Sequence, residues 1–299
     1  MKRKRRSVRL HKYQKENLAR IKNFRFIDDT FARRAFKGQR ELVEFVLKEL
    51  TGIDDIELDY YETQYDAISM TESRSFVLDI YGADKVGRKF DLEMEKKEAT
   101  PERAEVHTAA MIAEHMKKNG KFSDLPSIYV IFVYEKDPVG DGRAVYEYSY
   151  RDDAVDESGE YHAVSMKGRT HIIFVNGNFN DDQSMIGRLI HDLKCLRAED
   201  MYFERLANRM REIKNNPKEV EHMCRVLDEV REEGREEGRK EGRKEGRKEG
   251  RKEGRKEERE VVDFYNMLID QNRYEDLQKI RSDKRYFQML LADYKGRKR

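Results

Sequence analysis

The two acidic residues Asp79 and Glu93 stand in strand-like segments where an unpaired carboxylate would be costly. Asp79 interrupts an otherwise apolar run, and Glu93 lies in the segment 90–95, where apolar and acidic side chains alternate strictly. A buried carboxylate is unfavourable unless something pairs with it, so both positions require a specific partner. If the hairpin between the two strands pivots on Val86, Asp79 lies opposite Glu93 on one face, with Cβ atoms roughly 5 Å apart.

Two carboxylates at this separation repel each other, and a divalent cation relieves the repulsion. Mg²⁺ is typically held by one or two carboxylates together with substrate phosphate and water. A cation bound in this way lowers the pKa of its water ligand and neutralises charge on a phosphate under attack. The pairing of Asp79 with Glu93 therefore indicates hydrolysis of a phosphodiester bond.

The same residues also have a purely structural interpretation. Under it, the charged side chains of the strand that carries Glu93 form a solvated surface with cross-strand ion pairs. These side chains are Asp91, Glu93, Glu95, Lys96 and Lys97. Acid-rich strand faces are common, so the pattern by itself leaves both interpretations open.

The elements that must position these residues follow one another in the order α-β-β-β-α-β. The apolar spacing predicts a helix over 29–50, strands over 55–65, 73–82 and 88–96, a helix over 101–118 and a buried strand over 128–134. A helical crossover joins parallel strands, so 88–96 and 128–134 are predicted to be parallel, whereas the hairpin is antiparallel. The sequence thus predicts an α/β fold with a mixed sheet. Further strands are predicted within 143–176 and helices within 182–231.

The two ends of the chain differ from this core, which we delimit as residues 24–231. Residues 1–23 form a basic arm, which fits either phosphate binding or a solvated tail. Residues 232–258 repeat Glu-Gly-Arg-Lys without an apolar side chain, which predicts a frayed, solvated helix that acts as a spacer. Residues 259–299 are amphipathic again and predict a helical tail whose apolar stripe docks on the core or on another copy of the chain.

The overall composition restricts the class of protein. The 299 residues include 62 basic and 60 acidic side chains, so a net charge of +2 gives no argument for nucleic-acid binding by itself. Only Cys195 and Cys224 are present, whereas a secreted protein of this size more often carries a disulfide framework. No apolar run reaches 18 residues, which predicts no membrane span. We therefore expect a cytoplasmic protein without a membrane partner.

Other kinds of site find little support in the sequence. No nucleophilic serine or cysteine stands beside a readable histidine and aspartate set, and no residues are assigned to an organic cofactor. The histidines show no close ligand spacing, so no zinc site is predicted from them. They include His107, His115, His162, His171 and His191.

The order of these motifs resembles the PD-(D/E)XK nuclease family transposases, also called recombination-promoting nucleases. The resemblance covers about residues 24–260. That family carries an Asp on its second core strand and apolar-Glu-x-Gln on its third, as Leu78-Asp79 and Phe90-Asp-Leu-Glu-Met-Glu95 do here except at the last position. Three further segments look like landmarks of the family: Asp28-Asp-Thr-Phe31, Arg103-Ala104 and Gly120-Lys-Phe-Ser-Asp-Leu-Pro126.

The resemblance implies a restriction-endonuclease-like core and a DNA endonuclease that uses Mg²⁺ or Mn²⁺, with Asp79 and Glu93 as metal ligands. The departure from the family is Glu95, where the family usually has Gln and the wider superfamily has Lys. A Lys would orient the attacking water and stabilise the charge that develops on phosphate, whereas a carboxylate has no hydrogen to donate. Glu95 is nevertheless counted among the catalytic residues, as a general base or a ligand of a second metal.

Three functions remain open on the sequence. The leading hypothesis is a Mg²⁺-dependent DNA endonuclease of the recombination-promoting, transposase-related type. The second is a nuclease-fold protein of impaired activity that binds DNA or a partner chain, which the carboxylate at Glu95 favours. The third is a structural protein that forms homo-oligomers through the repeat and the C-terminal helices.

Overall fold

A computed structural model of the chain describes residues 13–71, 74–96, 101–116, 121–148, 153–155, 158, 161–163 and 168–297. The chain divides into two units, Met1–Arg225 and Val226–Arg299. None of the helices among the described residues is both long enough and apolar enough to cross a membrane.

The first unit is built around a mixed β-sheet. Its strands are β1 (Leu58–Thr71), β2 (Arg74–Asp84), β3 (Lys89–Glu95), β4 (Ile128–Tyr134), β5 (Val145–Tyr148), β6 (Asp153–Val155), β7 (Tyr161–Ala163) and β8 (Thr170–Val175). Six of them form one sheet in the order β1-β2-β3-β4-β8-β5, and β6 and β7 form a separate pair. The pairs β3–β4 and β4–β8 are parallel, and the remaining neighbours are antiparallel.

Helices lie before, between and after these strands along the chain. They are α1 (which includes residues 13–22), α2 (Asp29–Phe36), α3 (Arg40–Thr51), α4 (Pro101–His115), α5 (Met185–Lys194), α6 (Glu204–Asn215) and α7 (which begins at Pro217). Short 3-10 turns lie at Phe122–Asp124 and Ala198–Asp200. The predicted α/β class, the mixed sheet and the α-β-β-β-α-β order are therefore confirmed.

Both predicted strand pairings around β3 are confirmed. The hairpin pairs Ile80 with Leu92 and Tyr81 with Asp91, which is the register expected for a pivot at Val86. The crossover from β3 through α4 leads to the parallel strand β4, as a helical βαβ connection requires. These pairings bring the segment 90–95 to the middle of the sheet.

The predicted single helix over 29–50 is wrong, because two helices occupy this region. The helical conformation is interrupted between Phe36 and Arg40, where Gly38 has a φ of +72°. Glycine adopts this left-handed conformation without steric cost, whereas other residues rarely do. The apolar spacing continues across the break, so periodicity alone could not reveal it. Gly52, at φ +69°, ends α3 as the sequence predicts.

The basic arm can be described only in part. Its basic side chains Lys2, Arg3, Lys4, Arg5, Arg6, Arg9 and Lys12 lie outside the described residues. Residues 13–22 are helical, Ile21 is buried, and the Asn17 side-chain amide donates a hydrogen bond to the carbonyl of Cys224 at 3.2 Å. This part of the predicted arm therefore packs within the first unit.

The charged repeat is part of a single helix. Helix α7 (Pro217–Asp270) runs through residues 232–258 without interruption, and nearly all of these side chains are exposed. A four-residue repeat places opposite charges three apart, as in the ion pair of Glu232 with Arg235 at 3.6 Å. Each glycine opposes the helix by about 1 kcal/mol. The solvated helix that the sequence predicts for the repeat is confirmed. It is continuous through the repeat rather than frayed.

The C-terminal tail has an apolar core of its own. The last turns of α7, helix α8 (Tyr274–Ser282) and helix α9 (Lys284–Arg297) bury Phe264, Leu268 and Ile280 against one another. The helical tail is therefore confirmed. The three helices cover part of the apolar stripe of the tail, and docking of the exposed remainder on the core or on another copy of the chain stays a prediction.

Candidate active site

The hairpin brings Asp79 and Glu93 into direct contact. One residue beyond the pairing of Ile80 with Leu92, Glu93 Oε1 accepts a hydrogen bond from the backbone N–H of Asp79 at 2.8 Å. Both side chains are buried. The juxtaposition that the sequence predicts is therefore present in the fold.

The interpretation of β3 as a solvated strand face is wrong. Asp91 and Glu93 are 0% and 1% exposed, so this face of the strand is covered. Glu95, at the end of the strand, forms an ion pair with Arg103, and Lys96 forms one with Asp28 at 2.6 Å. Lys97 lies outside the described residues. A buried pair of acids costs free energy that a surface strand would not incur.

Burial raises the pKa of these acids. It raises the pKa of Asp79 to about 6, and the nearby carboxylate of Asp29 adds to the effect. Burial also holds the pKa of Glu93 and of Asp91 well above their ordinary values, and the neighbouring acids add to each shift. Three acids thus share a volume that disfavours negative charge unless a cation is present.

Two arginines supply positive charge to these acids in the structure. Arg33, on α2, places Nη2 2.9 Å from Asp79 Oδ1 and Nε 2.5 Å from Asp29 Oδ1. Arg103, in the first turn of α4, places Nη2 2.9 Å from Glu93 Oε2 and also pairs with Glu95. Sequence reasoning missed Arg33 and treated Arg103 only as a landmark. The available signal for Arg33 was its position four residues after Asp29 on a helix.

His107 is a further residue of the site that sequence reasoning missed. Its Nδ1 lies 2.9 Å from Asp91 Oδ2, and its Nε2 lies 3.5 Å from Nε of Arg103. These contacts fit the tautomer in which Nδ1–H donates to Asp91 and Nε2 accepts from Arg103. Burial lowers the pKa of His107, which favours the neutral ring that this tautomer requires. The sequence signal was its place one helical turn after Arg103.

The donor set of the site fits a divalent cation. Potential metal-ligand atoms in the side chains of Asp91, Glu93 and His107 lie within 4.8 Å of one another, and Asp79 adjoins Glu93. The atom Oδ1 of Asp91 is buried and has no hydrogen-bond partner among the described residues. Carboxylate oxygens are the ligands that Mg²⁺ and Mn²⁺ prefer. The residues present are therefore able to hold such an ion.

A second group of potential ligands has a structural role instead. Atoms of His191, Asp192 and Cys195 also lie within 4.8 Å of one another. However, both oxygens of Asp192 accept backbone hydrogen bonds, from Tyr202 at 2.9 Å and Phe203 at 2.8 Å. Burial raises the pKa of the Cys195 thiol to about 12, which disfavours the thiolate that binds metals. Asp192 thus holds the chain between α5 and α6.

The mixed sheet, with its buried pair of acids on adjacent strands, is consistent with a PD-(D/E)XK nuclease-like fold. The family model of the PD-(D/E)XK nuclease family transposases matches residues 40–156. The match includes Asp79, Glu93, Glu95 and Arg103, and it confirms the resemblance seen in the sequence. No curated protein and no solved structure matches the chain. The match to this family supports a nuclease-like or transposase function.

Proposed function

We propose that this protein is a metal-dependent DNA endonuclease in which Asp79 and Glu93 bind Mg²⁺ or Mn²⁺. The observation that carries the proposal is the hydrogen bond between Glu93 Oε1 and the backbone N–H of Asp79, which joins two buried acids. Structural acids are seldom buried together, because each raises the cost of charging the other. The family match to nuclease-related transposases supports the same reaction class.

The chain's own residues have separate roles in this proposal. Asp79 and Glu93 hold the cation, which when bound would make water more acidic and neutralise charge on the phosphate. Glu95 lies at the end of β3, where it pairs with Arg103, and acts as a general base for the attacking water or as a further ligand. Arg33 holds Asp79 in place through its 2.9 Å ion pair.

Purified protein should convert supercoiled plasmid into nicked and linear forms in the presence of Mg²⁺ or Mn²⁺. The reaction should stop when a chelator is added and resume when the metal is supplied in excess, because water activation depends on the ion. Gel electrophoresis over a time course measures both steps. Cleavage that continues unchanged in chelator would exclude the metal-dependent reaction.

A second candidate function is DNA binding with impaired cleavage. It is supported by Glu95, a carboxylate that stands where related nucleases carry Gln or Lys. In the structure, Glu95 forms an ion pair with Arg103. Under this alternative, the protein shifts DNA in a gel but leaves plasmid intact with either metal. The plasmid assay and the binding assay together distinguish the two candidates.

We further propose an organisation of the chain and a location in the cell. Residues 24–231 form the nuclease-like domain, preceded by the basic arm 1–23, and residues 232–258 are a spacer before the tail 259–299. The spacer is supported by its exposed helix without apolar side chains. A cytoplasmic location is supported by the fact that Cys195 and Cys224 form no disulfide in a chain of this size.

Self-association through the tail is also proposed. Beside the small core of the tail, α7 presents Val262, Tyr265 and Ile269, which are 57%, 37% and 48% exposed. Their spacing of three and four residues places them on one face of the helix. A second copy offers the same apolar face, and two-fold pairing makes such a face self-complementary. A dimer would also carry two active sites, which suits cleavage of both DNA strands.

We expect the full-length protein to be a dimer by multi-angle light scattering. The double variant Val262→Lys with Ile269→Lys should be a monomer, because charge on both positions opposes burial of the face. The control is Val86→Lys, which changes a still more exposed valine in the β2–β3 turn and should remain a dimer. An unchanged molar mass for the double variant would show that this face of the tail does not mediate self-association.

A further inference from the structure

We propose that Arg103 contacts the phosphate under attack and supplies the positive charge that Glu95 does not. The proposal rests on the proposed nuclease function and adds to it a residue from outside the acidic strand. Lysine at the position of Glu95 would serve this purpose in related enzymes, whereas a carboxylate has no proton to donate and repels the phosphate. The required group must therefore come from another element of the fold.

Arg103 reaches the site from α4. Its guanidinium lies beside both acids at the end of β3, with Nη2 2.9 Å from Glu93 Oε2 and Nη1 paired with Glu95. The side chain is 42% exposed, although Glu93 beneath it is buried. Arg103 thus lies between Glu93, the buried residue proposed to bind the metal, and the solvent from which DNA would approach.

The guanidinium is held in a defined orientation. It lies over the ring of Phe132, with 5.4 Å between the guanidinium carbon and the ring centroid. Its Nε points to Nε2 of His107 at 3.5 Å, and His107 is itself held by Asp91. Three elements, β3, β4 and α4, therefore position one cationic group, which is a form of preorganisation for charge that develops in a reaction.

The remaining donors of Arg103 suit a phosphate. A guanidinium has five N–H groups in a planar fork, and among the described residues the contacts with Glu93, Glu95 and His107 use three of them. The two that remain are on the terminal nitrogens, and a fork of this kind binds phosphate oxygens in pairs. In hydrolysis, the water oxygen bonds to phosphorus, one phosphorus–oxygen ester bond breaks, and the proton that the water loses is matched by a proton that the leaving oxygen gains. Arg103 keeps its protons and contributes only charge and hydrogen bonds.

The geometry has a second consequence that does not depend on cleavage. Arg103 is bound to Glu93, which is a proposed metal ligand, so the guanidinium and the cation compete for the same carboxylate. Removing the guanidinium should therefore strengthen metal binding while it weakens catalysis. A residue that only stabilised the fold would weaken both together.

The test compares Arg103→Gln and Arg103→Lys with the unaltered protein. We expect Arg103→Gln to bind Mn²⁺ about tenfold more tightly by calorimetry, or about 1.4 kcal/mol. Its cleavage rate at saturating DNA should fall by about a hundredfold, which is typical for the loss of one charge-stabilising donor. Arg103→Lys should lose less, and guanidinium ion in solution should restore part of the activity of Arg103→Gln.

A control variant sharpens the comparison. Arg211→Gln changes a comparably exposed arginine of α6 that pairs with Glu204, and it should alter neither measurement. Thermal unfolding of each variant confirms that it is folded.

The outcomes separate this inference from the proposed function. If the unaltered protein cleaves DNA and Arg103→Gln cleaves it equally fast, Arg103 does not contact the phosphate, whereas the nuclease function stands. If Arg103→Gln loses activity but binds Mn²⁺ no more tightly, the competition for Glu93 is wrong and the inference fails. If the unaltered protein does not cleave DNA with any metal, the proposed function fails and this inference fails with it.

Discussion

Replacing Asp79 with Asn, or Glu93 with Gln, should lower the rate of metal-dependent DNA cleavage by about a thousandfold, or about 4 kcal/mol of barrier. Each change keeps the size and shape of the side chain but removes one negative charge from the proposed metal site. Because the two residues are in contact, the loss of either leaves the cation with a single charged protein ligand from this pair. Plasmid cleavage at saturating Mg²⁺ measures the effect.

The control for this result is Asp141→Asn. Asp141 is an exposed acid that pairs with Arg143, so the variant makes the same chemical change outside the site. It should cleave DNA at the rate of the unaltered protein. Full activity in both Asp79→Asn and Glu93→Gln would show that the metal site has been assigned to the wrong residues.

Divalent cations should stabilise the protein strongly at pH 8 and weakly at pH 5. Burial raises the pKa of Asp79 from an ordinary value of 3.8 to about 6 and also raises the pKa of Glu93 and Asp91. A carboxyl whose pKa is higher in the folded state binds its proton more tightly there. Its contribution to stability is therefore complete below about pH 4 and is lost as pH rises through about 6.

The size of this effect follows from the change in pKa. For Asp79, a rise from 3.8 to about 6 corresponds to roughly 3 kcal/mol. A bound cation replaces the protons above that pH, so Mn²⁺ should raise the Tm of the first unit by roughly 6–12 °C at pH 8. At pH 5 protons already neutralise part of the cluster, and the increase should be small.

Scanning calorimetry with and without Mn²⁺ at both pH values measures this difference. Asp79→Asn provides the comparison, because the amide carries no charge at either pH. Without metal at pH 8, this variant should be more stable than the unaltered protein, and Mn²⁺ should stabilise it less. An equal response of both proteins to Mn²⁺ at pH 8 would mean that the ion binds elsewhere.

The sequence by itself determined the centre of this protein. Strict alternation over 90–95 and the turn around Val86 set the hairpin register, and that register places Asp79 against Glu93. The apolar run 128–134 and the helix before it determined the parallel pairing of β3 with β4. These features depend on residues that are close in sequence, where periodicity and turn chemistry restrict the possible pairings to very few.

Only the tertiary structure decided what surrounds the acid pair. Arg33, Arg103 and His107 come from two different helices, and their contacts depend on how those helices lie against the sheet. The burial of Asp91 could not be predicted from the sequence either. A strand shows the same alternating pattern whether its polar face contacts solvent or a helix. Helix docking is set by many weak apolar contacts between distant segments, and no short sequence pattern encodes which side chains those contacts bring together.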